Sequence, residues 1–303
     1  MEKRKQDEID FHNKVRNLRL QEDADLNDYY WSNRKYYAVT RSSRGYLHYL
    51  LTRKKGKVLD YCCGDGGTSI YLAKQGMDVT GIDISDVSIE NCKRAAALEG
   101  VAERTQFITM DAENTDFPDA SFEIIVCNGV LHHLDVNHAF PELARLLKPD
   151  GIIIAQEALA SNPLIQWYRE RTPHLRTEWE MKHILGLEEL DIARAYFGHI
   201  DVRYFHLAVL VAVPLRNTPL FRPLLGMLEA IDSVFLKLPV IQTQAWQMIF
   251  TLSKPRRPSP QNSFVEKQKI AGKRLFIGSV VLGALGLAWK QASRQKSDTA
   301  RKG

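Results

Sequence analysis

The chain has 303 residues, 45% of them hydrophobic and 25% charged, with a formal net charge of +5. That length can bury a sizeable core, and these averages exclude a wholly disordered, collagen-like or polytopic membrane protein. Four cysteines, two of them adjacent at Cys62 and Cys63, do not make a disulfide scaffold, and without a Cys-x-x-Cys pair a zinc ribbon is not expected. The charged start, Met1-Glu-Lys-Arg-Lys-Gln-Asp-Glu, has no apolar stretch of the kind a secretory signal needs, so a reducing, cytoplasmic setting is the default expectation.

Residues 1–56 are polar and aromatic-rich. Helical spacing of Val15, Leu18 and Leu20, and again of Tyr46, Leu47, Leu50 and Leu51, predicts two or three helices, an N-terminal cap leading into the core. From Lys57 strands alternate with helices. A strand at 58–59 precedes a helix through 70–73 that stops at Gly76. A second strand at 79–82 precedes a helix over 87–98 that stops at Gly100. Strands at 107–110 and 122–127 follow, the latter apolar enough for burial on both faces. A helix over 139–147 is expected to break at Pro149-Asp150-Gly151 before a fifth strand at 152–155. This rhythm predicts βαβ units and a parallel sheet.

Residues 160–198, with Pro163 and Pro173, have the texture of a lid. Segments 204–213 and 245–252 read as two more strands. Between them, in 219–238, Leu220, Leu224, Leu225, Leu228, Ile231 and Phe235 recur at helical spacing. A core-facing stripe is favoured there over a membrane-surface helix. Residues 255–269 are a linker by composition, which leaves 57–254 as the main domain and 270–303 as a tail.

The chemistry starts in Val58-Leu59-Asp60-Tyr61-Cys62-Cys63-Gly64-Asp65-Gly66-Gly67. Glycines there let the backbone turn sharply against a ligand. The acid inside the turn, Asp60, would repel a pyrophosphate and attract an ammonium or sulfonium, which separates this loop from a dinucleotide fingerprint. Asp83 ends the second strand, where a carboxylate can accept both hydroxyls of a ribose. Asp111 ends the third, where one can accept from an adenine amino group.

With these residues in order, the segment 57–156 resembles a class I S-adenosylmethionine-dependent methyltransferase. The matching stretches are VLDYCCGDGGTSIYLAKQG, VTGIDIS, FITMDAENTDFPDASFEIIVCNGVLHHL and ELARLLKPDGIIIAQE. The resemblance implies a Rossmann-like α/β fold, a seven-stranded sheet of order 3-2-1-4-5-7-6 with strand 7 antiparallel. It implies that S-adenosylmethionine is the cofactor. It also implies that the turn at Gly64 and Gly66 passes the methionyl part, that Asp83 holds the ribose with Ile84 against the adenine, that Asp111 and Ala112 meet the adenine edge, and that Asn128 lies near the methionyl group. One position departs from the family's pattern: Cys62 stands where its loop has the first glycine, a substitution tolerated if φ is negative.

His132, His133, Asp135 and His138 invite a metal reading, but the adjacent histidines cannot share a helix face and no metal is expected. His133 is the candidate general base, weighed against a structural histidine near the cofactor. Cys62 and Cys63 read as small loop fillers rather than redox groups. Glu157 either orients a nucleophile or caps the next segment. Arg169, Arg171, Arg176 and Glu178 read as a solvated surface in preference to an acidic-group site.

The tail concentrates the positive charge. Residues 275–289 carry none, and Lys267, Lys269, Lys273, Arg274, Lys290, Arg294 and Lys296 flank them. Fifteen residues make roughly 22 Å of helix against a hydrocarbon core of about 30 Å. Snorkelling basic side chains and Trp289 favour membrane contact, spanning or re-entrant, over packing on protein, with the catalytic domain on a cytoplasmic face. Nucleic-acid binding is not expected, since no aromatic platform accompanies the basic residues. The expectation is in-line methyl transfer to a small-molecule or lipid-linked acceptor. An inactive methyltransferase-like binding protein is the alternative, and a nicotinamide oxidoreductase a more distant one.

Overall fold

A computed structural model describes residues 2–21, 38–172 and 177–256. They fall in one compact unit, Met1–Arg257, and the linker beyond Arg256 and the apolar tail lie outside the described residues.

The sheet has seven strands: β1 (Val58–Tyr61), β2 (Val79–Asp83), β3 (Thr105–Thr109), β4 (Phe122–Asn128), β5 (Leu147–Ala158), β6 (Phe197–Phe205) and β7 (Gln247–Pro255). Their order is β3-β2-β1-β4-β5-β7-β6. β7 runs antiparallel to both β5 and β6, and the other pairings are parallel, as the resemblance implied. β1 and β2 are buried along their whole length and β4 nearly so, which is why they read as apolar runs without alternation. The order reverses between β1 and β4, so a crevice opens at their carboxyl ends.

Helices α3 (Gly67–Lys74), α4 (Asp86–Leu98) and α5 (Val136–Leu146) follow β1, β2 and β4. The Ser85 hydroxyl caps α4 by accepting from the Ser88 N–H, and the Asp135 carboxylate caps α5 by accepting from the Asn137 N–H. Two helices precede the sheet among the described residues, α1 (Lys3–Gln21) and α2 (Arg41–Arg53). α2 buries Leu47 and Leu51 in the cluster that holds Val58, Ile124 and Ile249.

Two expectations change. Pro149-Asp150-Gly151 does not break the chain before β5. Phe122 pairs with Leu147 and Ile124 with Ile152, so these residues form a bulge that stays extended inside one strand.

β6 occupies Phe197–Phe205 rather than 204–213. Its alternation of exposed residues with half-buried Ile200, Val202 and Tyr204 suits an edge strand. The apolar run Ala208–Leu215 instead winds into a 3-10 helix. Backbone N–H groups of Leu207, Ala208 and Val209 donate to the buried Asp232 carboxylate at 3.1, 2.6 and 3.4 Å, and Val209, Ala212 and Val213 pack on Phe221, Leu225 and Leu228. A short apolar run suits either element, and this tertiary anchor decides between them.

Within 160–198 the described residues hold α6 (Pro163–Arg171), α7 (Glu178–Lys182) and α8 (Leu187–Tyr196), the last flanking the sheet beside α5.

Helix α9 (Phe221–Phe235) buries one stripe, Phe221, Leu225 and Leu228, as favoured. Leu220, Met227, Val234 and Phe235 nonetheless remain 45–66% exposed. No described helix is long and apolar enough to cross a membrane.

Candidate active site

The carboxyl ends of β1, β2 and β4 open into a cavity of about 1160 Å³. Asp60, Gly64, Asp83, Ile84, Asp111, Ala112, Asn128 and His133 line it, so nearly every expected site residue faces one space. Gly66 stands just behind, as the N-cap of α3 with φ 78°.

Asp60 is fully buried and accepts a 2.6 Å hydrogen bond from the Ser69 hydroxyl. Burial, with the Asp83 charge adding to it, pushes the Asp60 carboxyl up to about 6 despite that bond. Both Asp83 oxygens are oriented by backbone donors, Gly64 N–H and Ser85 N–H, each at 2.9 Å. These bonds join the glycine turn to the end of β2 and leave the remaining lone pairs for a ligand.

The turn is tight. Gly64 has φ 59°, and a Cβ on Gly66 would lie 2.9 Å from Cys92 Sγ. Cys62 has φ 58°, so the condition for tolerating a side chain there is not met, and this residue occupies the left-handed region at a cost. Burial pushes the Cys62 thiol up. Cys63 is raised by its contact with Cys92, Sγ to Sγ 3.9 Å, and by burial. Both are held as neutral fillers, as expected.

Arg4, Lys5, Glu8 and His12 of α1 line the same cavity. Lys5 Nζ lies 2.6 Å from Asp111 and 2.9 Å from Glu113. Arg4 donates to both Glu113 oxygens at 2.7 Å and to the His133 carbonyl at 3.1 Å, and stacks over Trp179. Glu8 Oε2 lies 3.1 Å from His133 Nδ1 and 3.3 Å from His12 Nε2, and its other oxygen accepts from the Thr177 hydroxyl. Burial opposes the Glu8 charge, but the His12 and His133 hydrogen bonds hold the carboxyl well below the usual range. In the sequence these residues form a polar stripe, Arg4, Glu8 and His12 at helical spacing, distinct from the apolar spacing of Val15, Leu18 and Leu20.

Glu157 lines the cavity, and its partners lie in the turn that follows β4 rather than in the segment that follows β5. It is buried, accepts from Val130 and Leu131 N–H at 2.8 and 2.7 Å, and lies 2.7 Å from His132 Nδ1. Burial works against the imidazolium, but Glu157 and then Glu180 outweigh it and raise His132 above the ordinary histidine value. His138 is largely exposed with its Nδ1 3.9 Å from Asp135, and neither residue joins the histidine–carboxylate groupings found among the described residues, so the set His132, His133, Asp135 and His138 does not converge.

Arg169 is corrected. It is buried, lines the cavity and donates to the Leu159 carbonyl at 3.0 Å. Arg171 is exposed and stacks on Trp167, Glu178 pairs with Lys182 at the surface, and Arg176 lies outside the described residues. The same cavity is walled by Leu47, Leu51, Ile165, Leu210, Val213 and Trp246.

Residues 59–155 match the family described as a methyltransferase domain. The chain is 30% identical over 129 residues to a sterol 24-C-methyltransferase of Aspergillus fumigatus, covering 42% of this chain and 34% of that one. It is 34% identical over 116 residues to 27-O-demethylrifamycin SV methyltransferase of Amycolatopsis mediterranei, covering 38% and 43%. The chain thus spans well under two thirds of these curated relatives. A phosphoethanolamine N-methyltransferase of Haemonchus contortus, solved with phosphomonomethylethanolamine and S-adenosylhomocysteine, shares the fold at 18% identity and TM-score 0.50, over 71% of this chain and 53% of that one. Over residues 59–155 the chain is therefore similar to methyltransferase domains, and its sheet order is the one that resemblance implied.

Proposed function

We propose that the protein transfers a methyl group from S-adenosylmethionine to a largely apolar small-molecule or lipid-linked acceptor. The observation that carries this reading is one continuous cavity. It joins the oriented acids Asp60, Asp83 and Asp111 to a wall of aliphatic and aromatic side chains. The residues fit the cofactor: the Gly64 turn leaves no side chain between backbone and cavity, Asp83 is fixed by backbone donors, and Asp60 can balance an ammonium. When bound, the cofactor supplies a methyl carbon already activated by the adjacent sulfonium.

The chain's own work is then to orient, exclude water and move a proton where the acceptor needs it. α1 and the lid wall the cavity from above, with Arg4, Lys5 and Glu8 as the fasteners. His132, set by buried Glu157, is the group able to take a proton from an acceptor, whereas His133, the candidate base, has its Nδ1 committed to Glu8. The relatives' printed names include a sterol and a rifamycin methyltransferase, which agrees with an apolar acceptor.

The basic-flanked segment 275–289 and the exposed Leu220, Met227, Val234 and Phe235 support attachment to a membrane, with the domain on its cytoplasmic face. Calorimetry with S-adenosylmethionine and S-adenosylhomocysteine tests the first half of the reading. Binding of neither would make the protein an inactive relative. A methyl-transfer screen against lipid and small-molecule extracts tests the acceptor. Flotation of the full chain with anionic vesicles, against a chain ending at Lys254, tests attachment; equal recovery of both would remove the tail from the proposal.

A further inference from the structure

Glu8 and His12 are one helical turn apart on α1, and both project toward the 3-10 turn Leu131–His133. One oxygen, Glu8 Oε2, lies 3.1 Å from His133 Nδ1 and 3.3 Å from His12 Nε2, and the three donor atoms all lie within 4.8 Å of one another. A tetrahedron with metal–ligand bonds of ~2.0–2.1 Å has edges of about 3.3 Å. The two measured edges have that length. We propose that Glu8, His12 and His133 form a binding site for a divalent transition metal, zinc by its donor preference, which sequence spacing alone did not reveal.

Two features beyond the donor set favour a metal over a simple hydrogen-bonded cluster. Supporting contacts hold the carboxylate ligand from behind and fix the turn that carries His133, as metal sites require. The Thr177 hydroxyl donates to the other Glu8 oxygen, and Arg4 donates to the His133 carbonyl, fixing the carboxylate and the turn. The set is also incomplete on one side only. Two imidazoles and one carboxylate leave a fourth position, and all three residues line the cavity, so that position faces the acceptor space. The ligand class for such a position is an oxygen donor, so the acceptor would carry a hydroxyl or carboxylate. This last step rests on the methyltransferase reading, whereas metal binding does not.

Two of the ligands belong to α1 and one to the sheet end, so the metal would also clasp the cap to the core. The zinc reading predicts that binding raises the melting temperature of the full chain.

The experiment uses untagged full-length protein stripped with a chelator and titrated with zinc chloride, with bound metal counted by mass spectrometry. One equivalent per chain is expected, and cobalt in its place should give the intense visible bands of a tetrahedral site. His12→Gln and Glu8→Gln should each weaken zinc binding by at least about 100-fold, more than the loss of a supporting contact. His199→Gln, at an exposed histidine on β6, should leave it unchanged. Absence of a stoichiometric metal, octahedral-type weak cobalt bands, or wild-type affinity in His12→Gln and Glu8→Gln would overturn the site. Should a variant fail to fold, the wild-type cobalt spectrum and stoichiometry still decide. Calorimetry with S-adenosylmethionine on the metal-free protein runs alongside: cofactor binding without zinc uptake rejects this site and leaves the methyltransferase reading standing.

Discussion

Lys5 Nζ sits 2.6 Å from Asp111 Oδ2, so the N-terminal helix touches the same carboxylate that the resemblance assigns to the adenine edge. The N-terminal helix and the proposed cofactor site therefore share a group. Lys5 is only 17% exposed and also reaches Glu113, so its charge is less screened than that of a surface pair. Lys5→Met should loosen the cap and speed release of bound S-adenosylmethionine by up to about ten-fold, on the order of 1 kcal/mol. Stopped-flow displacement would measure it. An unchanged off-rate would mean that α1 does not gate the site.

Asp60 predicts a pH dependence. Its carboxyl is raised by burial to about 6, so without cofactor it is largely protonated below that pH. An ammonium group prefers the ionised form, so cofactor binding should strengthen as pH rises through about 6 and level off above. Asp60→Asn should weaken binding about ten-fold or more at pH 7.5 and flatten the profile. Titration calorimetry between pH 5 and 8 would show both effects.

Glu157→Gln keeps an oxygen for the Val130 and Leu131 amides but removes the charge facing His132. Because His132 is raised in the folded state, the stability it contributes is present below the unfolded histidine value and is lost as pH rises through the folded one. The variant should therefore lose more stability at pH 5.5 than at pH 8.5. Urea unfolding at the two pH values checks this. Equal losses would show that the carboxylate acts only through the backbone amides.

Cys62 has φ 58°, where a β-branched side chain fits poorly. Cys62→Val should destabilise by about 1–3 kcal/mol. Cys62→Gly should retain cofactor affinity, since it relieves the left-handed strain while giving up a thiol that is only half-buried. Thermal unfolding and calorimetry separate the two outcomes.

Some of this site was readable before any fold was known. Gly64, Asp83 and Asp111 are displayed by local chemistry, since each ends or follows a strand whose apolar run is its own signal, and Asp60 stands out as the one acid within the apolar strand β1. The residues that were misjudged depend on distant partners. Arg169 reads as a surface charge because residue type favours exposure, whereas packing buries its guanidinium against the Leu159 carbonyl and the cavity wall. Segment 208–215 looked like a strand because the carboxylate that winds it, Asp232, lies some twenty residues on.

By itself, the chain's arithmetic and pattern determined an average-composition α/β domain with three ordered strand-end acids, and a positive charge gathered around one apolar tail. Those properties follow from residue type and local periodicity. Tertiary structure decided what closes the cavity and what the histidines face. Arg4, Lys5, Glu8 and His12 acquire their roles only when α1 lies across the ends of the strands, bringing together charges more than a hundred residues apart. Packing, rather than sequence spacing, sets those distances, and electrostatic and ligand chemistry depend on distance.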